Sequence, residues 1–331
     1  MSRILLTSTM SQPFVHADAE ILRRRHDVDV VIGSGPLHAA RIFAKAREAD
    51  LTLCWFASVY ALPAVMGAKV GGGKSVIVVG GVDAAALPEI GYGLWSDPRR
   101  AEIIRRALKM ADRILPVDER LLLNLRRLSG LDLPRAEILP TGYDAARWTP
   151  PSDHIERTGV LSVAICETRG RALVKGVDLL VEAARMLPAI PFTLIGLDRA
   201  QATMWGWDPP ANMRLLPRIA QPTLLDAYRS ARIYCQPSRH EGLPNALCEA
   251  MLCGAVPVGA DVGGVASAIG ESGVVVVPGD ADALRAGIRR ALAMPVSIGD
   301  DARERIARRY PTERRAARLL AIVDELLAEG R

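Results

Sequence analysis

Residues 232–260 read RIYCQPSRHEGLPNALCEAMLCGAVPVGA. RIYCQPS and AVPVGA are short apolar runs bounded by turn-forming residues, the pattern of buried strands. Between them, residues 244–253 space their apolar side chains three and four apart, which predicts a helix. Pro244 takes its first position, where the missing N–H and fixed φ suit a helix start. Strand, helix and strand in so short a stretch make a βαβ unit, whose two strands run parallel.

The same alternation extends in both directions. Upstream lie ILLTST, VDVVIG, LTLCWF, SVIVVG, RILPV and EILPTG, then VLSVAIC, PFTLIG and NMRLLP; GVVVVP follows downstream. Helix-patterned stretches such as AEIIRRALKMADR and DLLVEAARML separate them. The pattern predicts an α/β fold of doubly wound parallel sheets. The chain has 331 residues, more than the roughly 250–300 that one core supports, and the pattern occurs twice. The turn-rich WTPPSDH at 148–154 puts a boundary near residues 150–158. Residues 1–150 are then one Rossmann-like domain and residues 151–331 a second. Residues 312–329 read as an amphipathic helix, a candidate to pack back on the first domain. Two such sheets facing a central cleft predict a ligand at the carboxyl ends of the strands.

Half of the residues are apolar and 24% are charged, which excludes a disordered chain. Five cysteines (Cys54, Cys166, Cys235, Cys248 and Cys253) are widely spread, with no CxxC pair. Neither a disulfide framework nor a structural zinc site is expected, and they read as buried thiols of a cytoplasmic protein. The opening MSRILLTSTMSQ has too short an apolar run for a signal peptide. Residues 51–68 carry no charge and approach the length of a membrane span. Thr52, Ser58, Pro63 and Gly67 divide them instead into a strand and a helix of a buried core. Residues 1–150 hold 20 basic and 16 acidic side chains, residues 151–331 hold 22 and 21. An excess in the first half suits an anionic partner there, such as a phospholipid surface or a phosphorylated acceptor. An arginine-biased solvated surface accounts for it equally.

Several motifs suggest chemistry that their context does not support. GGGKS at 71–75 resembles a phosphate loop, but Ala68 stands where the first glycine belongs and a strand follows instead of a helix. VVIGSGPLHAA at 30–40 is set correctly for a dinucleotide fingerprint, with Gly33 and Gly35, but His38 occupies the third glycine position. Asp27-Val-Asp29 reads as a strand start and Asp280-Ala-Asp282 as a helix N-terminus. His16, His26, His38, His154 and His240 show no ligand spacing. No metal is assigned.

The loop of the opening stretch carries a stronger signal. The first amides of its helix, with those of Gly242 and Leu243, make an anion site with no bulky side chain in the way. Glu241 stands in the loop and Glu249 more than a turn inside the helix. Phosphates at the amides and sugar hydroxyls on the carboxylates describe a nucleotide-sugar. A second loop, CETRGRALVKGVD at 166–178, brings Arg169, Arg171 and Lys175 to a strand's carboxyl end, where they neutralise a diphosphate without metal.

The spacing Glu241-x7-Glu249 within EGLPNALCEAM is similar to the EX7E motif of the family 4 retaining glycosyltransferases, which have the GT-B fold. ADRILPVDERL and ILPTGYDAARWTP look like that family's approach to its interdomain linker. Lys175-Gly176-Val-Asp178 resembles its phosphate-lysine segment, and CGAVPVGADVGGVASAIGESGVVVVPGD its closing nucleotide-binding stretch. WFASVYALPAVMGAK and GGVDAAALPEIGYG resemble one subgroup. The resemblance implies that Glu249 accepts hydrogen bonds from the donor ribose and that Glu241 lies near the donor sugar. It implies that Gly242, Leu243, Pro244 and Asn245 line phosphate and sugar, and that Lys175 with Arg169 or Arg171 holds the diphosphate. Arg169, six positions before the lysine, is preferred. Residues 216–219, with Arg218 and Ile219, would contact the base mainly through main-chain groups. The chain departs from the family in lacking a glycine-rich loop after the first strand and a histidine after the fourth. There Gly80-Gly81-Val-Asp83 stands instead, and Asp83 is a candidate for the polar contact to the sugar.

The expected function is transfer of a sugar, with retention, from a nucleoside diphosphate to a hydroxyl in glycan, glycolipid or cell-envelope polysaccharide synthesis. UDP-sugars come first as donors and GDP-mannose second. No cofactor, metal or nucleic-acid partner is expected. The acceptor is soluble or lipid-linked, the latter with a cytoplasmic protein peripheral on the membrane. Two alternatives stand beside this: a non-catalytic GT-B nucleotide-sugar binder, and a nicotinamide-dependent oxidoreductase using Gly33 and Gly35.

Overall fold

Apolar runs with helices between them leave each strand no choice but a parallel neighbour. In the computed structural model, which describes residues 1–152 and 155–329, this produces two α/β units. His154 and the end of the turn-rich stretch lie outside the described residues.

The first unit comprises Met1–Gly142 and the last helix. Its strands are β1 (Arg3–Ser8), β2 (Asp27–Ile32), β3 (Leu51–Trp55), β4 (Lys74–Val79) and β5 (Arg113–Pro116). They alternate with α1 (Pro13–Arg23), α2 (Pro36–Ala46), α3 (Ala61–Gly71), α4 (Pro98–Met110) and α5 (Glu119–Ser129). The sheet order is β2-β1-β3-β4-β5, all parallel. Residues 51–68 are β3, every residue of it buried, and most of α3, so their lack of charge reflects a core position. No helix among the described residues is long and apolar enough to cross a membrane. EILPTG contributes no strand. Ala136 makes an isolated parallel bridge to Ile114, and the amides of Glu137 and Leu139 reach β5 before Pro140, which has no N–H, ends the pairing.

The second unit, Tyr143–Pro311, has strands β6 (Thr158–Val163), β7 (Phe192–Ile195), β8 (Met213–Leu216), β9 (Ala231–Gln236), β10 (Val256–Ala260) and β11 (Val274–Val276). Its helices are α6 (Arg169–Val174), α7 (Val177–Met186), α8 (Arg199–Met204), α9 (Gln221–Ser230), α10 (Asn245–Leu252), α11 (Gly264–Ile269), α12 (Ala281–Ala293) and α13 (Ile298–Arg309). The order is β11-β10-β9-β6-β7-β8, all parallel. It reverses direction between β6 and β9, the switch point at which open α/β sheets leave a crevice.

The division at Gly142 and Tyr143 falls ahead of the expected 150–158. Tyr143 pairs with Pro311 in a parallel bridge, its amide 2.8 Å from the Tyr310 carbonyl. Trp148 is buried with its ring 5.5 Å from that of Tyr228. Arg303 donates to the carbonyls of Ala145 and Trp148 at 2.8 and 2.7 Å. Residues 143–148, expected at the end of the first domain, therefore belong to the second unit, with Tyr143 and Trp148 in its core.

The last helix, α14 (Thr312–Glu329), completes the first unit. Arg315, 4% exposed, donates to both carboxylate oxygens of the fully buried Asp18 on α1, at 2.7 and 2.6 Å. It also donates to the carbonyls of Leu139 and Pro140, both at 2.9 Å. The Trp55 indole donates to Asp18 at 2.9 Å, and the Arg315 guanidinium stands 5.4 Å from that ring.

Candidate active site

The switch point of the second sheet brings together the loops that leave β6 and β9. Arg239, in the β9 loop, donates its amide to the Val174 carbonyl at 2.7 Å and its guanidinium to both oxygens of Asp178 at 2.7 and 2.6 Å. Gly176 lets the two loops close up. Its φ is +70°, and a Cβ there would stand 2.0 Å from the Pro237 carbonyl oxygen. Gly263 does the same for the loop after β10, where a Cβ would stand 1.9 Å from the Glu241 carbonyl oxygen at a φ of +45°.

Lys175, which caps the end of α6, is carried by this stitching to Glu241. Its Nζ lies 2.5 Å from Oε1, and Glu241 is 8% exposed. The same Oε1 accepts from Ser238 Oγ at 2.8 Å and Gln236 Nε2 at 3.0 Å. Gln236 in turn accepts at Oε1 from the Tyr234 hydroxyl at 3.1 Å. Sequence reasoning did not single out Gln236 or Tyr234. A polar residue closing the otherwise apolar run RIYCQ was the available signal.

Helix α10 starts at Asn245, one residue later than expected, because Pro244 has a ψ of 114° and serves as the N-cap. Its carbonyl accepts from Cys248 at 3.2 Å. The first amides of α10 point out of the helix beside Gly242 and Leu243. Asn245 accepts at Oδ1 from the Tyr143 hydroxyl at 3.0 Å. Glu249 lies one turn inside, accepting from the Tyr228 hydroxyl at 3.1 Å. Burial pushes its carboxyl up to about 7, against the pull of the Tyr228 hydrogen bond and the Arg147 charge.

The two arginines of α6 separate. Arg169 donates from Nε to the Trp205 carbonyl at 3.1 Å and stands 5.9 Å from the Trp207 ring centroid. Arg171 lies one turn before Lys175. Burial pushes the Cys166 thiol, three residues past β6, up to about 11, and the charges of Lys175 and Arg171 both pull it back. The pair thus faces the strand end, and among the described residues the Arg171 guanidinium has no hydrogen-bond or ion-pair partner. Arg218 and Ile219 follow β8, exposed and half-buried respectively, and the Leu216 carbonyl accepts from Gly196 and Leu197 at 2.8 and 3.2 Å.

Residues 169–311 match the family model of glycosyl transferases, group 1. A D-inositol 3-phosphate glycosyltransferase of Jonesia denitrificans is 28% identical over 177 residues, 46% of this chain and 42% of that protein. The chain therefore spans about two fifths of the length of this curated relative. Among solved structures, sucrose-phosphate synthase from Thermosynechococcus elongatus is similar with a TM-score of 0.80 at 17% identity, over 99% of this chain and all of that one. Anabaena HepE in complex with UDP-glucose reaches a TM-score of 0.79 at 14% identity, over 98% and 100%. Both are likenesses of fold, and the fold is GT-B.

Over residues 169–311 the chain is similar to the group 1 glycosyl transferases.

The matched residues lie within the second unit, which holds Lys175, Glu241 and Glu249. Asp83, in the first unit, does not stand where a sugar contact was expected. It is fully buried, and its carboxylate accepts from the amides of Ala57 at 2.8 Å, Gly81 at 2.7 Å and Gly80 at 3.1 Å. Burial raises it to about 6 even so. The carboxylate fastens the turn after β3, where Phe56 has a φ of +74°, to the turn after β4. The Gly33–Gly35 turn is also closed, since the Gly35 amide donates to the Tyr60 hydroxyl at 2.6 Å. GGGKS is the turn from α3 into β4. A Cβ at Gly71 or Gly73 would meet the carbonyls of Arg47 or Ala49 at 2.2 and 2.4 Å. Asp29 pairs with Lys45, and Asp280 caps α12.

Proposed function

We propose that the chain transfers a sugar from a nucleoside diphosphate-sugar to a hydroxyl acceptor, with retention of the anomeric configuration and without a metal. UDP-sugars are the first donors and GDP-mannose the second. The observation that carries this reading is the Lys175–Glu241 contact of 2.5 Å, set at the switch point beside the start of α10. The departing diphosphate is the main charge to be stabilised, and Lys175, Arg171 and the amides of Gly242, Leu243, Asn245 and Ala246 supply donors for it. Arg171 is the proposed partner of Lys175, because the Arg169 guanidinium is engaged by Trp205 and Trp207. Glu249 accepts from the ribose hydroxyls. Glu241, whose Oε1 is held by Lys175, Gln236 and Ser238, orients the sugar, and no nucleophilic role is proposed for it because the leaving group itself serves as the base. A phosphate oxygen of the leaving group takes the acceptor's proton on the same face. HepE, solved with UDP-glucose, supports a uridine donor.

For the acceptor, a lipid-linked hydroxyl at the membrane surface is the proposal. Residues 97–135 hold ten basic and six acidic side chains, the whole excess of the first half. Arg99, Arg100, Arg106 and Lys109 of α4 are exposed.

Thermal shift with UDP, GDP, dTDP, ADP, NAD, UDP-glucose and GDP-mannose tests the donor. A ligand at a hundred times its Kd adds about 2.7 kcal/mol. The expected result is a shift with UDP and UDP-glucose that Glu249→Ala abolishes. A shift with NAD alone overturns the transferase reading.

A further inference from the structure

We infer that Gln236 and Ser238 are positioning residues that hold the Glu241 carboxylate without Lys175, so that Lys175 is free to exchange this partner for the donor's diphosphate. The inference rests on the function proposed above. Taking the cation away from a buried ion pair is ordinarily opposed, because it strands a desolvated carboxylate. Here Oε1 keeps two donors when Lys175 leaves, Ser238 Oγ at 2.8 Å and Gln236 Nε2 at 3.0 Å. Both donors are fixed, since Ser238 is fully buried and Gln236 is 2% exposed.

The direction of the Gln236 amide follows from its far end. The Tyr234 hydroxyl accepts from the Val163 amide on β6 at 3.4 Å, so its own proton goes to Gln236 Oε1 at 3.1 Å. That leaves Nε2 to face Glu241, and it also donates to Ser238 Oγ at 2.8 Å, which directs the serine proton to the carboxylate. The chain from Val163 to Glu241 therefore has one consistent set of donors. Lys175, by contrast, is held by a flexible stem and a single contact, and its side chain is 22% exposed. Among the groups around Glu241, Lys175 is the one able to move.

The test is titration calorimetry with UDP and GDP on the full chain. Ser238→Ala and Gln236→Leu each leave Glu241 more dependent on Lys175, and each weakens UDP binding by roughly tenfold, the scale of one hydrogen bond to a charged group. Glu241→Gln removes the competing charge, so UDP binds at least as tightly as to wild type while turnover of UDP-glucose falls. The double variant Ser238→Ala with Glu241→Gln recovers the UDP affinity of Glu241→Gln alone, which damage to the loop would not allow. Wild-type affinity in both single variants, or a double variant as weak as Ser238→Ala, overturns the inference. A wild-type chain that binds neither UDP nor GDP overturns the donor reading, and this inference with it.

Discussion

Glu249 is a carboxylate placed where water does not reach it well. Burial lifts it from 4.5 to about 7, so the folded chain holds its proton more tightly than the unfolded chain does. Its contribution to stability is complete below pH 4.5 and is lost as the pH rises through about 7. Calorimetric melting at pH 5 and pH 8 should therefore show a larger fall for wild type than for Glu249→Gln. Asp83, raised to about 6 by burial, has the same sign and is common to both proteins. Equal falls in the two proteins would place the ionisation elsewhere. The glutamates were legible because seven residues separate them on one strand, loop and helix. Tyr228 and Tyr234 were not. Tyr228 reaches Glu249 through space from α9, and Tyr234 acts on Glu241 only through Gln236, pairings for which a single sequence has little sign. Asp83 was visible as a polar residue after a strand, but its three amide donors come from two different turns.

At the scale of elements, the site depends on loops that pack backbone against backbone. Gly176→Ala puts a methyl 2.0 Å from the Pro237 carbonyl and an L side chain at a φ of +70°. The conformation alone costs roughly 1–2 kcal/mol, and the clash must move Lys175 from Glu241. The variant should melt lower and lose its thermal shift with UDP. Retention of a full shift would show that the loops tolerate separation. Strand runs of the second unit read clearly, because β-branched apolar residues bounded by glycine and proline have few other uses. Element ends were less legible. Pro244 caps α10 where it was expected to begin it, and EILPTG stops short of a strand at Pro140.

Over the whole chain, the first unit is assembled from two distant segments. Arg315 is its fastening, tied to Asp18 and to the carbonyls of Leu139 and Pro140. Arg315→Ala leaves Asp18 buried without its cation, and the expected loss is about 3–5 kcal/mol in denaturant unfolding of the first unit. A change below about 1 kcal/mol would mean that water takes the cation's place. The unit boundary was poorly legible for a related reason. The turn-rich signal begins at Trp148, whereas residues 143–148 join the second unit through partners distant in sequence, Pro311, Tyr228 and Arg303.

The return of α14 to the first unit also sets the order of events during synthesis. Domains that are continuous in sequence complete themselves as they emerge, the earlier one first. Here the earlier unit waits. Leu319, Ile322 and Val323 of α14 are buried in it, so its core stays open to water and to chaperones until α14 has left the ribosome. The later unit, whose residues are contiguous, is able to finish before the one that precedes it.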